Sequence, residues 1–566
     1  MRNLAIDKRI SLSLLLVGPL TSLAVSPSSN YDPINLIKLI FVFSVAFYVI
    51  GLMSNDLKSA FQSLPKPLLV SVIIFLMSMT FTLLFSGAPL NQQIWGSFGR
   101  NTGFLTYFSL LVILLASTLI TNTDFSSKLI KSLIFTAVPM TSYCLIQIAN
   151  LDPIGWSEKL PFGTLGNINF SSAFFGLSSI ACLGFFLSKS NSLFSRVLCL
   201  TLIAVDLLIV YSTGSIQGIL IFASGASFLV FSRIRSSTRL RNLRFLYIAT
   251  LLIGVFLTLI GLMNKGPLAK LLFAPSIVFR TDYWHAGWKM TLERPFFGVG
   301  LDSYGDWYRQ ARGLISTTRN SPDRISNTAH NIFLDISSNG GFFLLLSYLG
   351  IVVYTLLLSI KYFKSNKTHD VIFSTMFSLW IGFMIMSLVS INQIGVGIWG
   401  WLFNGALIGY VWKSRVSSVE KETQIDNKYI KRKAKKSRKV SKSQIPAGTM
   451  MVSFLFMLVG LLLAYMPLKA DAAYRSALNS NALDKIIAST RLIGSTSFHS
   501  ELALDLAIKN NLTTQAYEIT KYMVEKYPRD FMGWKALWLI TVSTPGEKEL
   551  AHKKLLEQDP FNPTVK

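Results

Sequence analysis

Thirteen apolar runs, each about the length needed to cross a bilayer, leave this chain little choice of architecture. They fall near residues 10–27, 35–54, 66–86, 102–121, 130–150, 169–188, 195–213, 215–232, 245–263, 340–361, 371–390, 393–412 and 447–466. About 20 helical residues cover the ~30 Å hydrocarbon core, and a segment in lipid must satisfy its own backbone groups, which makes each run a helix. Composition agrees: 51% of the 566 residues are hydrophobic, 14% are charged, and the mean hydropathy is +0.47. The fold class expected is an all-α, polytopic membrane protein.

Orientation follows from lysine and arginine in the short connections, because basic loops resist translocation. Every second segment is basic: Arg2, Lys8 and Arg9; Lys58 and Lys66; Lys128 and Lys131; Lys189 and Arg196; Arg233, Arg235, Arg239, Arg241 and Arg244; Lys361, Lys364 and Lys367. The short loops between them carry only Arg100 and Lys159. This places the N-terminus in the cytoplasm, and an odd number of spans places the C-terminus outside. The basic stretch Lys428–Lys442 then also falls on the inner side, as a solvated linker beside anionic head groups. Much of the net charge of +26 is thus topological, and nucleic acid is not expected as a partner. The first run lacks a small-residue cleavage site and reads as a signal anchor. Cys144, Cys182 and Cys199 lie in apolar runs without metal-ligand spacing and read as packing residues.

The chain divides into spans over 1–263, a loop over 264–339, spans over 340–412, the basic linker 413–446, a last span at 447–466 and a tail over 467–566. Loop and tail face outward on this topology. Cytoplasmic nucleotide donors are therefore excluded unless their energy arrives in a substrate already carried across the membrane.

The loop opens with "RTDYWHAGWKMTLERPFFGVG", a helical pattern with Trp284, Trp288 and Leu292 on one face, expected to lie along the membrane surface. Pro295 stops it, and Gly298 and Gly300 supply a turn. The loop closes with "SNTAHNIFLDISSNGGFF", which sets His330, one of only five histidines, at the mouth of the tenth span. In the tail, "TTQAYEITKYMVEKYPRD", "GWKALWLI" and "AHKKLLEQDPFNP" read as paired amphipathic helices, with Pro528 and Pro560 near the ~34-residue tetratricopeptide period. Such a tail is a candidate surface for a protein partner.

The order Arg280, Trp284, Pro295, Gly298, Gly300, Ala329, His330, Asn331, Leu334 and Gly340 resembles the signature of the O-antigen ligase and O-antigen polymerase superfamily. "WGSFGRNTGF" from Trp95, "GTLGNINFSSAF" from Gly163 and "STGSIQG" from Ser212 agree with it, except that Ile216 stands where many relatives carry arginine. The resemblance spans about residues 70–415. It implies a GT-C-like membrane glycosyltransferase that moves a glycan from a polyprenyl-pyrophosphate lipid to an acceptor hydroxyl on the outer face of the cell membrane.

The residues suit that chemistry. A pyrophosphate leaving group calls for the planar fork of arginine, which nominates Arg280 and Arg100. An imidazole titrating near working pH suits removal of the acceptor's proton, which nominates His330 as the base. Trp284 and Asn331 are the further substrate-binding candidates. His285 lies near Arg280 but outside the matching pattern, and Trp288, Trp307 and Tyr308 fit an interfacial belt better than sugar platforms. No metal or cofactor is called for. Alternatives are a surface-polysaccharide polymerase, a protein O-oligosaccharyltransferase, and a non-catalytic transporter of lipid-linked glycan; against the last, the spans are poor in charge apart from Lys38 and Asp206.

Overall fold

The computed structural model describes residues 4–120, 124–156, 160–188, 190–273, 275–366, 368–427 and 445–566. The stretch Lys428–Lys442, with Arg2, Lys159, Lys189 and Lys367, lies outside the described residues. Helices make up the described chain, and no strand occurs among the described residues.

In chain order the helices are α1 (Leu4–Leu23), α2 (Leu36–Met53), α3 (Leu57–Ser63), α4 (Lys66–Phe85), α5 (Leu90–Trp95), α6 (Phe104–Leu119), α7 (Phe125–Ile148), α8 (Ile168–Leu187), α9 (Leu193–Ser212), α10 (Gln217–Ser236) and α11 (Arg244–Leu262). The long loop holds α12 (Ala269–Leu272), α13 (Pro275–Glu293), α14 (Tyr304–Ala311) and α15 (Leu314–Asn320). Then come α16 (Ile332–Ser365), α17 (Val371–Val389), α18 (Ile394–Asn427) and α19 (Ala447–Asn479). The tail adds α20 (Leu483–Thr490), α21 (Ser497–Lys509), α22 (Thr513–Lys526), α23 (Phe531–Leu539) and α24 (Pro545–Gln558).

Among the described residues, 11 helices are long and apolar enough to cross a membrane. The other two expected runs are helices as well. In α1 the first turns carry Asp7, Lys8 and Arg9, and α6 is shorter, at 16 residues. Close packing between spans uses small residues, as expected where lipid supplies no hydrophobic drive for helix association. A side chain at Gly460 of α19 would meet the Phe43 carbonyl of α2, and one at Gly409 of α18 would meet Thr118 of α6.

Alternate connections gather on one face. The Lys38 ammonium donates to the carbonyls of Ser22, Ala24 and Thr164 at 3.1, 2.8 and 3.0 Å, joining the turns after α1 and α7. The Tyr31 and Asp32 N–H groups donate to Asp471 Oδ2 at 2.7 and 3.0 Å, and Gln393 Nε2 donates to Asn35 Oδ1 at 3.3 Å. The long loop and the tail belong to this same face. On the opposite face, Arg235 donates to the Phe363 carbonyl at 2.5 Å, and the Tyr362 and Tyr410 hydroxyls donate to Asp370 Oδ2 at 2.8 and 2.9 Å. The second charged residue of the spans, Asp206, is buried and accepts from the Thr141 and Ser178 hydroxyls, each at 2.6 Å. Lys38 and Asp206 are both committed to helix packing.

The spans run past their apolar cores. α16 begins at Ile332, eight residues before the apolar run, and breaks at Gly341, where φ is 76°. α19 continues to Asn479 and carries the tail directly.

Candidate functional site

Geometry at the loop starts from α13, which sets Arg280, Tyr283 and Trp284 within one turn of each other. The helix ends at Glu293, before Pro295, and the chain then turns through Gly298 and Gly300 with φ of 61° and 111°. Gly298 is required twice over: its backbone is left-handed, and a β-carbon there would collide with the backbone of Asn339 and Gly340. The turn is sewn onto the start of α16. Val299 N–H donates to the Ser338 carbonyl at 2.8 Å, Gly300 N–H to the Asn339 carbonyl at 3.1 Å, and Phe342 N–H to the Pro295 carbonyl at 2.7 Å. Further along, Thr291 and Ser337 share a hydroxyl contact of 3.0 Å, and Gly287 lets Ala329 approach. These bonds fix Arg280 relative to the segment that carries His330.

That segment is itself pinned. His330 has φ of 51°, a left-handed conformation that costs a non-glycine residue on the order of 1 kcal/mol. Its N–H donates to Thr328 Oγ1 at 3.2 Å, the preceding Ala329 N–H donates to Asp335 Oδ1 at 2.6 Å, and the Ser326 hydroxyl donates to the Thr328 carbonyl at 2.7 Å. Asn331 caps α16: its Oδ1 accepts from the N–H groups of Phe333 and Leu334 at 3.0 and 3.1 Å, and its Nδ2 donates to the Leu388 carbonyl at 3.0 Å. The His330 ring stacks on Tyr283, with centroids 5.5 Å apart and planes at 29°.

Arg100 comes from the far side of the sequence. Asp302, two residues beyond Gly300, accepts from the N–H groups of Ser97 and Thr102 at 2.8 and 3.1 Å through a single Oδ2, closing the turn that presents the arginine. The guanidinium then donates through Nε and Nη2 to Asn327 Oδ1 at 3.0 and 2.6 Å. Arg280 has no hydrogen-bond or ion-pair partner among the described residues, and neither arginine forms a salt bridge there. Both charges bear on the same imidazole. Burial first, then Arg100 and Arg280, push His330 down to about 3, so it is neutral at physiological pH. The two guanidinium groups are half-buried, and burial lowers the pKa of each.

The structure therefore brings Arg100, Arg280 and His330 together. Trp284 lies one turn along from Arg280, with its indole N–H enclosed and unpartnered. Asn331 is adjacent to His330, but both ends of its amide are engaged in the cap and the Leu388 contact. His285 is exposed. On α13, Trp288 and Leu292 are exposed at 45% and 55%, while Ala286 and Met290 face the core. Trp307 lies between the Arg294 and Arg529 guanidinium groups, 4.0 and 3.4 Å from its ring centroid, and Tyr308 is buried among Tyr283 and Tyr304. The segments 163–174 and 212–218 meet each other: Ser215 Oγ donates to Asn169 Oδ1 at 2.9 Å, and Gly218 N–H donates to Ser172 Oγ at 2.8 Å.

Sequence reasoning passed over Tyr283, Asp302, Asn327 and Asp335. Tyr283 was legible at three residues from Arg280 on a helix. The other three act through contacts remote in sequence or on backbone groups, and no local pattern marks them.

Residues 197–349 match the family described as O-antigen ligase. That region holds Arg280, Trp284, His330 and Asn331 but not Arg100. No curated protein matches the chain.

Proposed function

We propose that this multi-pass membrane protein, whose residues 197–349 match the O-antigen ligase family, is a membrane glycosyltransferase that moves a glycan from a polyprenyl-pyrophosphate lipid to an acceptor hydroxyl. The observation that carries the reading is the pair of arginines, neither in a salt bridge among the described residues, that both act on one neutral imidazole. Arg280, half-buried and without a hydrogen-bond or ion-pair partner among the described residues, is costly unless an anion completes it, and Arg100, bonded to the Asn327 amide oxygen with Asp302 and Asp335 nearby, stands beside it. A diphosphate supplies that anion, and two planar forks hold it by bidentate hydrogen bonds.

The acceptor oxygen attacks the anomeric carbon while the bond from that carbon to the phosphate oxygen breaks. The lipid pyrophosphate leaves with the bonding pair and gains a negative charge. Arg100 and Arg280 therefore bind the departing group more tightly than the intact donor, which lowers the barrier. His330 takes the proton from the acceptor hydroxyl, and attack opposite the leaving group inverts the anomeric centre. Tyr283 holds the imidazole plane, and Asp302, Asn327 and Asp335 hold the backbone and guanidinium geometry. Basic residues on the opposite face favour placing this site outside the cytoplasm.

The test compares lipid-linked and surface glycans from cells with and without the protein. Accumulation of long lipid-linked chains without it supports transfer of a finished glycan, and accumulation of single repeat units assigns chain extension instead. Unchanged profiles in both pools would overturn the reading.

A further inference from the structure

Beyond Arg100 a cleft of about 440 Å³ opens between the long-loop face and the tail helices. That volume lies within the roughly 300–1,000 Å³ range of ligand sites. One wall comes from segments around Phe98 and Asp306, the other from α21, the start of α23 with the turn before it, and the last residue of α24. The tail is docked firmly enough to serve as a wall. Asp559 is fully buried and receives Arg309 and Arg312 at 3.0 and 2.7 Å, and Asn91 donates to the Ser495 carbonyl.

The lining has three features that point to one kind of ligand. Phe98 and Phe498, one from each wall, stack with centroids 4.2 Å apart and planes at 18°, and both remain partly exposed. Glu501 and Asp530 hydrogen-bond to each other beside Asp306, and burial with mutual repulsion pushes Glu501 up to about 9 and Asp306 to about 7. Such a pair keeps a proton at neutral pH and offers both O–H donor and acceptor. Gln558, 5% exposed, is one of the residues lining the cleft; it donates to the Pro528 carbonyl at 3.1 Å, and its Oε1 is buried and unpartnered. A partner with hydroxyl donors would satisfy that oxygen.

From the paired aromatic rings, the carboxyl cluster and the unpartnered amide oxygen, we infer that this cleft is a glycan subsite, built jointly by the long-loop face and the tail. The stacked pair, partly exposed, presents an apolar edge to the C–H face of a sugar ring, while carboxyls and amides bond its hydroxyls. Bare anions would meet the carboxyls, and cations would meet Arg309 and Arg529. Asp302 and Asn327 line the cleft and also position Arg100, so a sugar chain lying there ends beside the reacting groups. The inference rests on the transfer reaction proposed above.

The test uses full-length protein in nanodiscs and, as probe, the oligosaccharide freed by mild acid from the host's own lipid-linked glycan. Parent and Phe498→Tyr bind it, and Phe498→Leu and Glu501→Gln bind it about tenfold more weakly, as loss of one ring contact or hydrogen bond implies. A KM rise confined to the lipid-linked donor assigns the subsite to the donor's glycan; a rise confined to the acceptor assigns it there. Unchanged affinity across all four proteins, with equal melting temperatures, overturns the inference. If the parent transfers glycan and the variants keep its KM values, the reaction stands and the subsite falls. Ring-dependent binding by a protein that transfers nothing leaves the subsite standing and removes the reaction.

Discussion

Donor binding should convert His330 from an inert imidazole into a base. In the free protein, burial, Arg100 and Arg280 hold it at about 3. A diphosphate diester brings two negative charges against those arginines. At an effective dielectric of about 20, a unit charge ~5 Å away contributes about 3 kcal/mol, or roughly 2 pKa units. Two such charges raise the imidazole by about 4 units, into the neighbourhood of pH 7, where a base is most effective. The sign then separates the two kinetic parameters. The free protein carries neutral His330 at every pH above about 3, and a donor diester does not titrate near neutrality, so kcat/KM has no acid limb from His330 between pH 5 and 8. In the bound complex the imidazole is protonated below its raised pKa, so kcat falls tenfold per pH unit there. Initial transfer rates in proteoliposomes between pH 5 and 8.5 measure both. Arg280→Gln removes one positive charge from the free site and should raise the free-state pKa by up to about 2 units. An acid limb near pH 6.5 in kcat/KM of the parent protein would refute the buried, arginine-flanked imidazole.

Arg280→Lys keeps the charge and loses the fork, so kcat/KM should drop by about 10- to 100-fold, the worth of one charge-assisted hydrogen bond or more, with normal membrane insertion; a fully active variant removes arginine-specific recognition. Asp559→Ala leaves Arg309 and Arg312 buried without their carboxylate, which costs about 3–5 kcal/mol of docking energy, and limited proteolysis should then release the tail while membrane spans stay protected. Single cysteines at 320 and at the exposed tail position 510 should react with a membrane-impermeant thiol reagent in intact cells and one at 435 should not; the reverse pattern inverts the proposed orientation.

The helices of the thirteen apolar runs, 11 of them long and apolar enough to cross a membrane among the described residues, were legible because an apolar run of bilayer length is a local property of sequence. Their ends were not, because polar residues such as Asp335 and Asn339 continue α16 outside the apolar stretch, and a helix in a loop needs no hydropathy. His330, Arg280 and Trp284 stood out through a family-like spacing. The meeting of Arg100 with the His330 segment, across 227 residues from Asn327, is a tertiary fact without a local trace. Asn331 shows the opposite difficulty: an asparagine just before a helix is as readily a cap as a ligand, and only the bonds to Phe333, Leu334 and Leu388 reveal the capping. The degree to which burial and two cations suppress His330 likewise depends on neighbours that spacing does not reveal.

The central claim is tested most directly by purified protein in liposomes containing lipid-linked glycan, with parent and His330→Ala compared at neutral pH. The quantity measured is polyprenyl pyrophosphate released per glycan joined to acceptor. The parent should release one lipid pyrophosphate for each glycan transferred, without added divalent metal, and His330→Ala should insert, bind donor and turn over at least ~100-fold more slowly. Turnover of His330→Ala within a few-fold of the parent, or no acceptor-dependent release by the parent, would contradict the account.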